Sequence, residues 1–289
     1  MMTKLDIANN LPLQLRIKEM ILNALNEDLG DGDVTTETII PEWTQFSGNF
    51  IAKADGIIAG LDVARWTFEL VNADVRFESR LQDGDKVKRG QIIATVQGPA
   101  STLLQAERVA LNFLQRMSGI ATATHQLVAA TGGKCVVLDT RKTVPGLRIL
   151  DKMAVLAGGG QNHRFGLFDM VLIKENHITV AGSITEAVTR ARRNDKRNRP
   201  IEVEVKNLDE LKEALTLPVD RIMLDNFPLE MIREAVEITN GRVPLEVSGN
   251  VNLETIGAIA ETGVDFVSVG RMTHSVEALD ISLILEEIK

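Results

Sequence analysis

Apolar positions recur at helical spacing over residues 13–29, where Leu13, Ile17, Met20, Ile21, Ala24 and Leu25 form one stripe. Pro12 stands near its start and Gly30 just past its end, so the pattern predicts an amphipathic helix. Asp28–Thr36 reads as an acidic turn; its alternating Asp and Gly do not make a calcium loop, because no glutamate follows at the required offset. From Gly48 to about Gly98 the runs shorten. Strands are expected over 49–54, 57–59, 75–78 and 92–96, with a helix over 64–71 among them. Ser101 then caps a helix expected to run to about Met117 and to end at Gly119. Leu103, Leu104, Ala110, Leu111, Leu114 and Met117 form its apolar face, and Arg108, Asn112 and Gln115 share a polar side whose default is solvent.

Beyond that helix the rhythm becomes strand, helix, strand. Strands are predicted at about 134–138, 169–173, 201–205, 221–224, 244–247 and 265–269, and a helix at about 148–157. Further helices begin at Ser183, Asn207, Pro228 and Asn252, and Gly241 and Gly263 stop two of them. Repeated βα units imply a parallel sheet with right-handed crossovers. The last run, Leu279, Ile281, Leu283 and Leu285, has period two and predicts a strand that returns to the first domain. Asp83–Ile93 resembles in shape the hammerhead turn of biotin and lipoyl carriers, without their modifiable lysine motif.

Composition narrows the class. The chain has 289 residues, enough for two domains, with 44% apolar and 25% charged residues, as in an ordinary globular protein. No apolar run is long enough to span a membrane, and MMTKLDIANNLPLQL lacks the pattern of a secretory leader, so the cytoplasm is the expected location. A single cysteine, Cys135, rules out an internal disulfide and a cysteine-rich zinc site; inside an apolar run it is expected to be inert. A net charge of −8 and the absence of Tyr disfavour nucleic acid or an anionic membrane as partner.

Against that acidic background the strand ends stand out, because in parallel α/β folds functional groups gather at the carboxyl ends of strands. Read in turn, these are Arg141-Lys142, Lys174, Glu202-Val203-Glu204, Asp225-Asn226, Ser248-Gly249-Asn250 and Gly270-Arg271, with Gln161-Asn162-His163-Arg164 in a polar knot after three glycines. The basic ends suit a multiply anionic substrate. The acidic ends suit ribose hydroxyls or magnesium, and the glycine-rich ends a phosphate. A sugar phosphate fits all three. Of Glu202 and Glu204, only one is expected to reach the site and the other to face solvent. His163 finds no ligand spacing with His125, His177 or His274, so a histidine metal site is not expected.

EDLGDGDVTT (27–36), ERVALNFLQRMSGIAT (107–122), DTRKTVPGLR (139–148), GGGQNHR (158–164), LIKENHI (172–178), IEVEVKN (201–207), MLDNF (223–227), LEVSGN (245–250) and VSVGR (267–271) together resemble the quinolinate phosphoribosyltransferases, nearly end to end. The resemblance implies an α/β fold of two domains, an N-terminal α/β sandwich over 1–116 and a C-terminal barrel of about six βα units over 117–274, of the type II phosphoribosyltransferase kind. The tail 275–289 would pack back on the first. It implies transfer of phosphoribosyl from phosphoribosyl pyrophosphate to quinolinate with decarboxylation, with magnesium and no organic cofactor. It also implies a homodimer, or an oligomer of dimers, in which Arg108 enters the neighbouring site.

Carried over by position, Arg108, Thr140, Arg141, Lys142, His163, Arg164 and Lys174 would bind quinolinate. Lys142, Lys174, Glu204, Asp225, Ser248, Gly249, Asn250, Val269, Gly270 and Arg271 would bind phosphoribosyl pyrophosphate. Lys142, Lys174, Glu204 and Asp225 would be catalytic, and Glu204 and Asp225 would hold magnesium directly or through water. Val144 and Leu156-Ala157 depart from the usual pattern. Two alternatives stay open: a phosphoribosyltransferase of this fold acting on another acid, and an aldolase-like barrel using Lys142 or Lys174 as a Schiff base.

Overall fold

The computed structural model of the chain describes residues 10–41 and 43–288; residues 1–9, on which the expectation about a leader partly rests, lie outside them. In chain order the elements are α1 (Leu11–Leu29), α2 (Val34–Ile39), β1 (Gln45–Ala52), β2 (Gly56–Ile57), α3 (Leu61–Val71), β3 (Arg76–Ser79), β4 (Lys86–Val87), β5 (Ile92–Pro99) and α4 (Ala100–Ala130). There follow β6 (Val136–Leu138), α5 (Arg148–Ala157), β7 (Val171–Ile173), α6 (Glu175–Ala181), α7 (Ile184–Asn194), β8 (Ile201–Val205), α8 (Leu208–Ala214) and β9 (Arg221–Asp225). The chain closes with α9 (Leu229–Thr239), β10 (Leu245–Ser248), α10 (Ile256–Ala260), β11 (Phe266–Ser268), α11 (Arg271–His274) and β12 (Ile281–Glu287). Among the described residues no helix is long and apolar enough to cross a membrane.

Contacts divide the chain into two units. One takes the residues up to His125 together with Thr143–Gly159 and everything from Ser275 on; the other takes Gln126–Lys142 and Gly160–His274. The division expected at 116/117 falls inside α4, which does not stop at Gly119 but runs on to Ala130. Gly119 is there for clearance, not as a terminator: a Cβ on it would lie 2.2 Å from the Glu277 carbonyl oxygen.

The first unit is built on an antiparallel sheet of order β12-β1-β5-β3. Its core gathers Phe50, Phe68, Ile93, Leu103, Leu111, Leu114 and Leu283, with Phe50 edge-on to Phe68 at 5.9 Å. The Gln115 side chain, expected to face solvent, instead donates from Nε2 to the Ile281 carbonyl at 2.6 Å, and its main-chain carbonyl accepts from the Leu279 N–H at 3.0 Å, which ties α4 to the approach of β12. Two other readings change. The acidic turn contains α2, capped by Asp33, whose Oδ1 accepts from the Thr36 N–H at 3.0 Å. In the hammerhead-like turn, Asp83 accepts from the Gly60 and Leu61 N–H groups at 2.9 and 3.1 Å, capping α3 across the fold. The carrier-like shape is thus a structural brace.

Arg116 on α4 makes two bonds to Asp151 on α5, at 3.0 and 2.9 Å, and the Asp151 side chain is fully buried. Asp151→Ala leaves a guanidinium facing a void, and we expect urea unfolding to show a loss of about 3 kcal/mol. A loss below about 1 kcal/mol would mean the pair only breaks even against desolvation.

The second unit carries six parallel strands in the order β6-β11-β10-β9-β8-β7, the number expected. This is the cyclic order of consecutive βα units opened at a single seam, between β6 and β7. The free edge of β6 is not left bare: Gln161 bridges Leu138, donating its N–H to the Val137 carbonyl at 2.9 Å and accepting from the Asp139 N–H at 3.2 Å. The polar knot after the three glycines therefore serves as a short seam strand, and it carries His163 and Arg164 with it.

Candidate active site

At the carboxyl ends of the barrel strands lies a cavity of about 210 Å³. Thr140, Arg141 and Lys142 enter it after β6, His163 and Arg164 after the seam segment, Lys174 after β7, and Ser248 and Ser268 at the ends of β10 and β11. Leu172, Met223 and Glu246 complete the wall. All the residues predicted to hold quinolinate are here except Arg108, which sits on α4 in the first unit with its side chain 61% exposed and Glu107 at 3.9 Å.

The cavity is crowded with positive charge. Burial and the Arg141 cation both push Arg164 below its ordinary value. Two guanidiniums that repel each other in a partly closed space are stabilised by an anion placed between them.

On the neighbouring strand ends the sign reverses. Lys174 Nζ lies 2.9 Å from Glu204 Oε2, and its main-chain N–H donates to His177 Nδ1 at 2.9 Å at the start of α6. Burial and the negative Glu204 raise Asp225, while Asn226, Lys174 and Lys206 oppose them. The donors of the pair are all carboxylate oxygens, the chemistry that magnesium takes. Glu204 and Asp225 fit such an ion.

Small residues keep this end of the barrel open. Gly249 has φ +98°, and a Cβ on Gly270 would come 2.9 Å from Lys142 Cδ and 3.3 Å from Thr140 Oγ1. Thr273 Oγ1 donates to the Lys142 carbonyl at 2.9 Å, fixing the lysine's backbone. Val269 is buried, so only its main chain can serve a ligand, and Arg271 next along is exposed.

Beneath the cavity is a buried ionic cluster that the sequence did not disclose. His163 Nε2 lies 3.0 Å from Glu202 and 3.4 Å from Glu246, and Arg221 Nη1 lies 2.9 Å from Glu246. Glu202, expected to face solvent, is fully buried, as is Glu246. Both alternate with Glu204 and Ser248 on the inward face of their strands, so there is no outward face for Glu202 to take. Burial depresses the His163 imidazole and the two carboxylates at Nε2 raise it, to about 9, while the Arg164 N–H that Nδ1 accepts works against a second ring proton and favours the form protonated at Nε2 alone. Glu202 is raised to about 7 by burial and by repulsion from Glu246. Burial also works against Glu246, yet His163, Arg221 and Ser268 hold it below the ordinary range. Ligand atoms of His163, Glu202 and Glu246 approach within 4.8 Å of one another, but the imidazole Nε2 and Arg221 already engage the two carboxylates.

His163 also lines the cavity, where it was expected. Its Nδ1 accepts the Arg164 N–H at 2.7 Å and its Nε2 faces Glu202, so both ring nitrogens are engaged by the protein. Its own N–H donates to Asp139 Oδ1 at 2.8 Å. The ring serves as cavity wall and as the anchor of Arg164. Cys135 is half-buried, and burial pushes its thiol up to about 11, which disfavours the thiolate.

Two family models match the chain, "Quinolinate phosphoribosyl transferase, N-terminal domain" over residues 33–118 and "Quinolinate phosphoribosyl transferase, C-terminal domain" over 120–284. A mitochondrial quinolinate phosphoribosyltransferase [decarboxylating] 2b of Nicotiana tabacum is 47% identical over 286 residues, covering 92% of this chain and 81% of the relative. A probable nicotinate-nucleotide pyrophosphorylase [carboxylating] of Bacillus subtilis is 42% identical, covering 93% of each. Among solved structures, NadC of Streptococcus pyogenes superposes with a TM-score of 0.92 at 40% identity, covering 95% of this chain and 98% of that one. The nicotinate-nucleotide pyrophosphorylase of Francisella tularensis gives 0.91 at 43% identity, covering 96% and 98%.

Proposed function

Because the chain belongs to the quinolinate phosphoribosyltransferase family, we infer that it transfers phosphoribosyl from phosphoribosyl pyrophosphate to quinolinate with decarboxylation. The products are nicotinate mononucleotide, pyrophosphate and carbon dioxide, and the reaction is a step of NAD biosynthesis. The observation that carries this reading is the cavity in which Arg141, Lys142, Arg164 and Lys174 converge beside the carboxylates of Glu204 and Asp225. Four cations suit a dicarboxylate and a departing pyrophosphate; two carboxylates suit a ribose that becomes positive.

In the proposed mechanism Arg141 and Arg164 hold the carboxylates of quinolinate, with Thr140 and Lys142 beside them, so that the ring nitrogen faces the anomeric carbon. The nitrogen lone pair forms the new N–C bond as the bond to pyrophosphate breaks, and that electron pair leaves with the pyrophosphate. Lys142 and Lys174 offset its charge, Ser248–Asn250 and Val269–Arg271 hold the phosphate groups, and Glu204 and Asp225 orient the ribose hydroxyls. Magnesium held at Glu204 and Asp225 would neutralise charge on the leaving group. The quaternary nitrogen then stabilises the carbanion left on the ring as the adjacent carboxylate departs as carbon dioxide, and that carbon takes a proton from water. The Lys174–Glu204 ion pair speaks against a Schiff base at Lys174, since it favours the ammonium over the amine.

Incubation with quinolinate, phosphoribosyl pyrophosphate and magnesium is expected to yield nicotinate mononucleotide and carbon dioxide in equal amounts, and nicotinate in place of quinolinate to yield neither. Product from nicotinate, or none from quinolinate, would overturn the substrate assignment.

The exposed Arg108 further supports a homodimer in which this arginine completes the partner's site. Arg108→Ala and Lys174→Met, each nearly inactive alone, should recover about a quarter of parental turnover when mixed and allowed to exchange subunits, because half of the dimers then carry one intact site. No recovery after verified exchange would remove the shared site.

A further inference from the structure

We propose that Asn226 is a positioning residue that joins Asp225 to the Ser248–Asn250 loop, so that the ribose-facing carboxylate and the phosphate-facing loop are held as one piece. The proposal rests on the reaction assigned above and adds a residue that reading does not use.

Asn226 stands just past the end of β9 with φ 56°, in the left-handed region where asparagine is among the few residues with a side chain to settle readily. That turn sends its amide sideways, between two strand ends. Nδ2 donates to Asp225 Oδ2 at 3.0 Å. Oδ1 accepts from Asn250 Nδ2 at 3.2 Å. Its main-chain N–H donates to the Ser248 carbonyl at 2.9 Å. The fit continues at Gly249, where a Cβ would fall 2.1 Å from the same Oδ1, so the loop can close on the amide only if that residue is glycine.

The chemistry requires an amide here. One arm must donate to a carboxylate and the other must accept from Asn250, and a primary amide offers both at once. Aspartate has the shape without the donor, and glycine has the backbone without either arm. Because Asn226 is exposed, these bonds add little to fold stability. What they fix is the distance between the two halves of the sugar-phosphate site. Asn250, on the other side of the link, also has a positive φ, 53°.

The test compares the parent protein with Asn226→Asp and Asn226→Gly. Calorimetric binding of phosphoribosyl pyrophosphate in magnesium chloride, without quinolinate, is the first readout. Both variants should bind about 10- to 100-fold more weakly, the size of losing a hydrogen bond to a charged group. The KM for quinolinate should change by less than about threefold, and thermal midpoints should stay nearly fixed, since surface changes of this kind shift stability little. The proposal is overturned if both variants bind phosphoribosyl pyrophosphate within twofold of the parent, or if any loss of affinity is matched by a loss of fold. A parent that binds none would instead overturn the reaction itself, and the positioning role with it.

Discussion

Lys174→Met is expected to lower kcat/KM for phosphoribosyl pyrophosphate on the order of 10³-fold, the effect of removing one well-placed charge stabiliser from a partly dry site. Two losses combine. The ammonium lies 2.9 Å from Glu204 and, in the mechanism proposed above, also meets the charge that develops on departing pyrophosphate. Without it, Glu204 and Asp225 face each other with less compensation. Burial and Glu204 already raise Asp225, and Lys174 is one of the groups restraining that rise. In the variant Asp225 rises further, so its ionised form appears only at higher pH and the acid limb of the pH profile moves up. Lys174→Arg keeps the charge and should recover part of the rate without that displacement. Steady-state kinetics from about pH 5.5 to 9 test both points. A loss below about tenfold in Lys174→Met would place the essential cation elsewhere, with Lys142 the next candidate.

Arg221→Met should be the most destabilising single change in the barrel unit, costing about 3–5 kcal/mol near pH 8. Arg221 Nη1 lies 2.9 Å from Glu246 and 3.9 Å from Glu202, and its guanidinium also lies over the Phe266 ring at 4.1 Å. Methionine fills much of the volume but leaves two buried carboxylates with only His163 and the Ser268 hydroxyl. The pH dependence follows from the folded values. Glu202 is already raised to about 7 from an ordinary 4.5. A carboxyl raised in the fold contributes fully below its unfolded value, and that contribution is lost as pH rises through the folded one. Losing Arg221 raises Glu202 further and removes one of the groups that hold Glu246 down, which widens this window upward. Urea unfolding should therefore show a smaller deficit near pH 5, where the cluster can take up protons, than near pH 8. An equal deficit at both would assign the effect to packing against Phe266.

Much of the fold was legible because strand ends in a barrel are chemically unlike strand middles. Apolar runs that stop on Arg141, Lys174 or Asp225 mark both the strand and the direction it points. What stayed hidden depended on three-dimensional clearance. Gly119 looked like a helix stop, since nothing local distinguishes it from a glycine that admits the backbone of residue 277. Asp33 and Asp83 looked like turn residues, because a cap is defined by the N–H it meets, and Asp83 meets one more than twenty residues away in sequence. Glu246 drew no notice within LEVSGN, yet a signal was there. Counting back two from Ser248 puts Glu246 on the inward face of β10, as counting back two from Glu204 puts Glu202 on that of β8. A charge at an inward position of an otherwise apolar strand announces a buried partner. His163 was placed correctly at the cavity, but only the distances show that both its ring nitrogens are engaged.

The pairing of β12 with β1 has a bearing on how the protein is made. The two strands are in register from Phe46↔Glu287 to Ala52↔Ile281, yet the whole barrel unit is synthesised between them. While the barrel is emerging, β1 has β5 on one side and nothing on the other. A nascent first unit thus exposes an unsatisfied strand edge beside an apolar layer that Leu279, Ile281 and Leu283 will later cover. Such an edge invites pairing with a neighbouring chain on the same message. Deleting the last strand should then yield an aggregating product whose barrel sequence is intact, and supplying the strand as a separate peptide during translation should restore solubility.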